Sequence, residues 1–187
     1  MLKVNTCYGR VDSELLSRLS SIKLLAFDVD GTITDGGIYY DNKDIELKKF
    51  NVKDGFGIVA LHKEGIECAV ITGRSAPLTD RRMADLHVSH VIQGEMNKGI
   101  ALTKLCEKLN IGTDEVVCIG DDLNDMPMFR LAGVVVCPKD AHPFIKKIAD
   151  YITVTEGGKG AVRELCDLIL ISKGVLNADG GFADERY

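Results

Sequence analysis

The sequence predicts a doubly wound α/β domain, a parallel sheet with helices on both faces. Short apolar runs rich in Val, Ile and Cys recur without polar alternation, as strands buried on both faces require. Segments of helical period separate them, which is the pattern of βα units. The 187 residues are enough for one full core and too few to expect two.

The elements follow in order. Residues 1–21 are expected to form a helical extension, with Leu15, Leu16 and Leu19 at helical spacing and Asp12 as N-cap. The main domain is expected over residues 22–173, beginning with the strand "IKLLAFD". Two β-prone runs flank the turn-like "DNKD" and predict a hairpin flap over about 36–51. Then helices and strands alternate: "GFGIVALHKEG" helix, "IECAVIT" strand, "APLTDRRMADLH" helix, "VSHVIQG" strand, "NKGIALTKLCEKLNIG" helix. The series continues with "EVVCIGD" strand, "NDMPMFRLAG" helix, "VVVCP" strand, "AHPFIKKIA" helix and "YITV" strand, and "GAVRELCDLILISKG" closes it as a helix. Residues 174–187, rich in Gly and Asp, read as a flexible tail unless something docks them.

Composition excludes several classes. A net charge of −5 argues against a nucleic-acid or anionic-membrane surface. No apolar run approaches the roughly 20 residues that span a bilayer, and the N-terminus lacks a signal-peptide profile. Six dispersed cysteines with no CxxC pair read as reduced and structural, hence a cytoplasmic protein.

In such sheets ligands bind beyond the carboxyl ends of the strands. The first strand ends in Asp28-Val29-Asp30-Gly31 and the second in Thr72-Gly73-Arg74; Asn97-Lys98 opens a helix after the third. The fourth delivers Gly120-Asp121-Asp122, with Asp125 close behind. Carboxylates crowded in this way need a cation, and hard oxygen donors without His or Cys suit Mg²⁺. Thr72 and Lys98 add donors for an anion. Such a set suits phosphoryl transfer, with one aspartate as nucleophile and another handling protons. "DDLND" lacks the glycine and closing glutamate of a calcium loop. "EGGKGAV" lacks the P-loop spacing and reads as a turn into the last helix.

"DVDGT", "TGR", Lys98 and "GDDLND" resemble, in order, the four motifs of the haloacid-dehalogenase superfamily of phosphatases, over roughly residues 22–155. The resemblance implies that Asp28 is the nucleophile and Asp30 the acid/base. It implies that Thr72 and Lys98 bind the phosphoryl group. Mg²⁺ would be held by Asp28, Asp121 and the Asp30 backbone carbonyl, with Asp122 and Asp125 in support. "FNVKDGFGI", "ITGRSA", "QGEMNK", "DAHP", "ADYIT" and "GGKGAVRE" narrow it to a capless type that is similar to the 3-deoxy-D-manno-octulosonate 8-phosphate phosphatase family. That family implies a homotetramer in which neighbouring subunits complete each site, and a sugar-phosphate substrate on the way to lipopolysaccharide. Gly73, Arg74 and Arg82 are the candidate substrate-binding residues. In a sibling family acting on a nine-carbon sugar 9-phosphate, Glu tends to follow the TG pair; Arg74 suits an octulosonate carboxylate. Thr32 stands where Val is frequent in this group.

Two rivals come from other classes, a phospho-receiver and a non-catalytic oligomerisation module. Asp30, placed for turnover, and the motif order speak against the first. The complete set Asp28, Asp30, Thr72, Lys98 and Asp121 speaks against the second.

Overall fold

The computed structural model describes residues 2–43 and 45–184. Its first elements correct the expectation of a wholly helical extension. β1 (Lys3–Thr6) and β2 (Gly9–Asp12) form an antiparallel hairpin ahead of α1 (Ser13–Ser20). Gly9 turns the chain at φ +97°, a conformation open to glycine. Asp12 does cap α1, accepting the Glu14 N–H at 3.0 Å, above the buried Leu15, Leu16 and Leu19.

β3 (Leu24–Phe27) leads into the aspartate loop, and the flap follows as β4 (Tyr39–Tyr40) paired antiparallel with β5 (Glu46–Leu47). Asp41 makes its turn, accepting the N–H groups of Lys43 and Ile45, each at 2.8 Å. Asp44, the last residue of the expected turn, lies outside the described residues. The chain then runs through α2 (Val52–Lys63), β6 (Glu67–Ile71), α3 (Pro77–Asp85), β7 (His90–Ile92), α4 (Lys98–Leu109) and β8 (Val116–Ile119). After these come α5 (Met126–Phe129), β9 (Val134–Cys137), α6 (Pro143–Ile148), β10 (Tyr151–Ile152) and α7 (Ala161–Ser172). The single helix expected over "NDMPMFRLAG" is instead a 3₁₀ turn, Leu123–Asp125, followed by the four-residue α5. The turn is tightened because the Asp125 carboxylate bends back onto the amides of Asp121 and Asp122.

Among the described residues six parallel strands form the main sheet, in the order β10-β9-β8-β3-β6-β7. Successive strand residues feed opposite cores. Leu25, Phe27, Val117 and Ile119 join α1, α2 and α7 on one face; Leu24, Ala26, Val116 and Cys118 join α4 and α5 on the other. Burial on both faces is why these strands read as unbroken apolar runs.

The tail is docked over most of its length, contrary to the expectation of a loose segment. Leu176 and Phe182 form an antiparallel bridge, and the Cys7 N–H donates to Ala178 O at 2.8 Å. The N-terminal hairpin supplies that anchor, and Tyr8 hydroxyl donates in turn to Asp167 of α7 at 2.6 Å. Residues 185–187 of the expected tail lie outside the described residues. All six cysteines are free and five of them are buried. Among the described residues no helix is long and apolar enough to cross a membrane.

Candidate active site

β3 lies between β6 and β8, and the chain winds outward from it in both directions. The crevice at such a reversal opens beyond the carboxyl ends of the strands. Asp28 follows β3 there, Thr72 follows β6, and Asp121 follows β8 by one residue. A cleft of about 380 Å³ is lined by Asp28, Asp30, Thr72, Gly73, Arg74, Asp121 and Asp122, among others. The sequence-derived set therefore converges, with Lys98 and Asp125 buried next to it.

Lys98 is the first residue of α4, behind the Asn97 N-cap. Its side chain is 1% exposed, and Nζ lies 2.7 Å from Asp28 Oδ1 and 2.5 Å from Asp125 Oδ1. The second oxygen of Asp125 accepts the N–H groups of Asp121 at 2.9 Å and Asp122 at 3.2 Å. Both Asp125 oxygens are thus committed inside the chain. This carboxylate aims Lys98 at Asp28 and shapes the loop that carries Asp121. Asp122 is exposed and caps the 3₁₀ turn, accepting the Leu123 N–H at 2.7 Å.

The electrostatics follow from one ammonium shared among buried carboxylates. Burial pushes Asp28 up from the ordinary carboxylate range, against the pull of Lys98. Burial, with the charges of Asp125 and Asp28, pushes Asp121 up to about 7. Burial works against the Lys98 cation, but the two carboxylates outweigh it and its pKa rises. Thr32, fully buried, donates its hydroxyl to Asp121 Oδ1 at 3.2 Å, a bond the frequent Val could not make.

Two glycine contacts set the loops. Gly31, at φ +87°, passes so close to Asp121 that a Cβ would lie 2.2 Å from Oδ2. Gly157 packs backbone to backbone on the same loop, where a Cβ would lie 1.8 Å from Gly31 O. The Gly158 N–H donates to Thr32 O at 3.0 Å. The glycine-rich segment is therefore a turn into α7, as expected, that also buttresses the aspartate loop.

The flap adds two residues that sequence reasoning missed. Lys48 pairs with Asp30 Oδ1 and, at 3.2 Å, with Glu46. Glu46 holds Arg74 at 3.1 Å, and Arg74 Nε lies 3.5 Å from Asp30 Oδ2. A signal was present: opposite charges two residues apart in a β-prone run are expected on one face, and this run follows the aspartate loop.

A family model for haloacid dehalogenase-like hydrolases matches residues 85–165. The 3-deoxy-D-manno-octulosonate 8-phosphate phosphatase of Escherichia coli K12 is 47% identical over 176 residues, covering 94% of each chain. The chain belongs to the 3-deoxy-D-manno-octulosonate 8-phosphate phosphatase family. Among solved structures of that family, the Yersinia pestis phosphatase superposes with a TM-score of 0.91 at 44% identity, covering 92% of this chain and 93% of that one. The Moraxella catarrhalis phosphatase, in complex with magnesium, phosphate and KDO, gives a TM-score of 0.85 at 43% identity, covering 87% and 94%.

The residues here fit the magnesium seen in that family member. Asp28, Asp121 and Asp125 present oxygens within 4.8 Å of one another, an all-carboxylate donor set. With Asp125 committed to Lys98 and two amides, Asp28 and Asp121 are the carboxylates left for an ion. Asp121 is pushed up first by burial and then by the charges of Asp125 and Asp28, and a divalent cation would offset both. Arg82 is the exception among the expected site residues. Within one chain it neither lines the cleft nor, unlike Lys98 and Asp125, pairs with a residue that does; its guanidinium lies 6.0 Å from the Phe50 ring centroid and its Nε is buried with no hydrogen-bond partner among the described residues.

Proposed function

We propose that this chain is a magnesium-dependent phosphomonoesterase that hydrolyses 3-deoxy-D-manno-octulosonate 8-phosphate to the free sugar acid and phosphate, a step toward lipopolysaccharide. The observation that carries the reading is Asp28, 4% exposed and lining the cleft, ion-paired to Lys98 at 2.7 Å and clustered with Asp121.

In this mechanism an Asp28 oxygen attacks phosphorus, and the bond from phosphorus to the sugar oxygen breaks. Asp30 gives its proton to that leaving oxygen. Asp30, now ionised, then takes a proton from the water that attacks phospho-Asp28, which releases phosphate and restores the carboxylate. Lys98 and the Thr72 hydroxyl hold phosphoryl oxygens as charge builds on them. Magnesium, bound by Asp28, Asp121 and the Asp30 carbonyl, would supply positive charge and let the carboxylates and the phosphate approach. Arg74 presents a guanidinium to the sugar carboxylate, which must compete with Glu46 for it. Gly73 leaves room beside it, since a Cβ there would first meet Met96 at 3.5 Å. Arg82 enters only from a neighbouring copy of the chain, in a homotetramer joined through the flaps. A cytoplasmic location goes with this reading.

The test is phosphate release from the eight-carbon and nine-carbon sugar phosphates, with magnesium or with EDTA, by wild type and Asp28→Asn. Magnesium-dependent turnover of the eight-carbon ester, lost in the variant, is expected. Preference for the nine-carbon ester would keep the mechanism and overturn the role of Arg74. No turnover of either ester by folded wild type would overturn the reading.

A further inference from the structure

Lys48 has no part in the mechanism above, yet its surroundings are those of a working residue. Its side chain is 2% exposed, whereas that of the adjacent Lys49 is 67% exposed. Burying an ammonium is expensive unless paired carboxylates compensate it. The flap that carries Lys48 is two strands of two residues each, too short to hold a shape unaided. The pairs Asp30–Lys48, Lys48–Glu46, Glu46–Arg74 and Arg74–Asp30 close into a ring of alternating charge. The ring joins the flap to the aspartate loop and to the turn after β6.

Within that ring the two oxygens of Asp30 differ. Oδ1 is held by Lys48; Oδ2 is buried and makes no hydrogen bond among the described residues. Clamping one oxygen of a carboxyl group fixes where the other points, and a proton donor works only within hydrogen-bond reach of its target. Arg74 cannot be the lasting clamp, because the proposed substrate carboxylate draws its guanidinium away. Lys48 has no such second claim.

We infer that Lys48 is a positioning residue: it clamps Asp30 Oδ1 so that Oδ2 delivers the proton to the leaving sugar oxygen and later takes one from water. This rests on the phosphatase reading and deepens it. As the phosphorus–oxygen bond breaks, its electron pair goes to the sugar oxygen, which receives the Oδ2 proton. The Asp30 carboxylate left behind stays paired with Lys48. The flap thereby sets the acid.

The experiment compares two esters in single turnover with enzyme in excess, so that only the first chemical step is read. One is the eight-carbon sugar phosphate, whose alkoxide leaving group needs a proton; the other is 4-nitrophenyl phosphate, whose phenolate does not. Lys48→Met should slow the first turnover of the sugar ester by about 10- to 100-fold and that of the nitrophenyl ester by no more than about threefold, as loss of acid placement predicts. Lys48→Arg should recover part of the sugar-ester rate. Equal losses on both esters, or no loss on either, would overturn the inference while wild-type turnover upheld the phosphatase. Wild type inactive on both esters would overturn the phosphatase reading and the inference with it. If Lys48→Met does not fold, Lys48→Gln is read by the same ratio.

Discussion

Asp121 faces a competition between a proton and a cation. With its pKa pushed up to about 7 in the ion-free chain, mainly by burial, a proton must leave before magnesium can bind. Below that value each pH unit weakens apparent affinity about tenfold. The half-saturating magnesium concentration should therefore rise by about tenfold from pH 8 to pH 6, measured by calorimetry with wild-type protein. A flat profile would show that Asp121 is already ionised across that range. Asp54 offers a second titration, remote from the cleft. It is fully buried and accepts the Arg163 N–H at 2.7 Å, with Gly160 and Val162 amides also bonded to it. It caps α7 from α2, in place of Gly160, whose position at the helix start has no side chain to offer. Burial pushes it up to about 6. A carboxyl group raised in the folded state takes up protons on folding, so its contribution to stability falls as pH climbs from the unfolded value near 4 through 6. Relative to wild type, Asp54→Asn should gain up to about 3 kcal/mol between pH 4 and pH 7.5 in urea melts. An unchanging difference across that range would refute the shift.

At the scale of elements, the aspartate loop is built by its neighbours. Its short form depends on Gly31 facing Asp121, and on the Gly157–Gly158 turn lying against it without side chains. Gly157→Ala places a Cβ inside the Gly31 carbonyl, so one loop must retreat. A loss of about 1–3 kcal/mol is expected from overpacking alone. A fall in kcat should accompany it, because Asp28 and Asp30 ride on the displaced segment. Full activity with lowered stability would show that the turn supports only the fold. The element pattern was largely legible because strands buried on both faces and helices of 3.6 period leave different traces. The N-terminal hairpin was not. β1 buries no residue fully and β2 buries only Val11, and the hairpin is held by distant partners, Asp167 and the tail. The 3₁₀ turn at Leu123–Asp125 was missed for a similar reason: a carboxylate bent back on two amides overrides local helical preference.

For the whole molecule, the flap leaves apolar surface in the open. Ile38, Tyr40, Ile45 and Leu47 of the flap are each half or more exposed. Exposed apolar groups clustered in this way mark association surfaces, in keeping with the proposed homotetramer. Leu47→Asp should lower the mass measured by light scattering from four chains toward one and reduce turnover with it. Wild type running as a single chain would refute the tetramer. The chemistry was written in the sequence itself. Parallel strands place their carboxyl ends on one edge, so Asp28, Asp30, Thr72 and Asp121 converge wherever the βα pattern holds, with Lys98 at a helix start beside them. What only the tertiary structure decided is which of these groups are already spoken for. Asp125 is consumed by Lys98 and two amides, Arg74 is held by Glu46, Lys48 is buried against Asp30, and Arg82 is turned to Phe50. Strand ends follow from local periodicity, whereas pairings among charges depend on distances between segments far apart along the chain, which spacing does not encode.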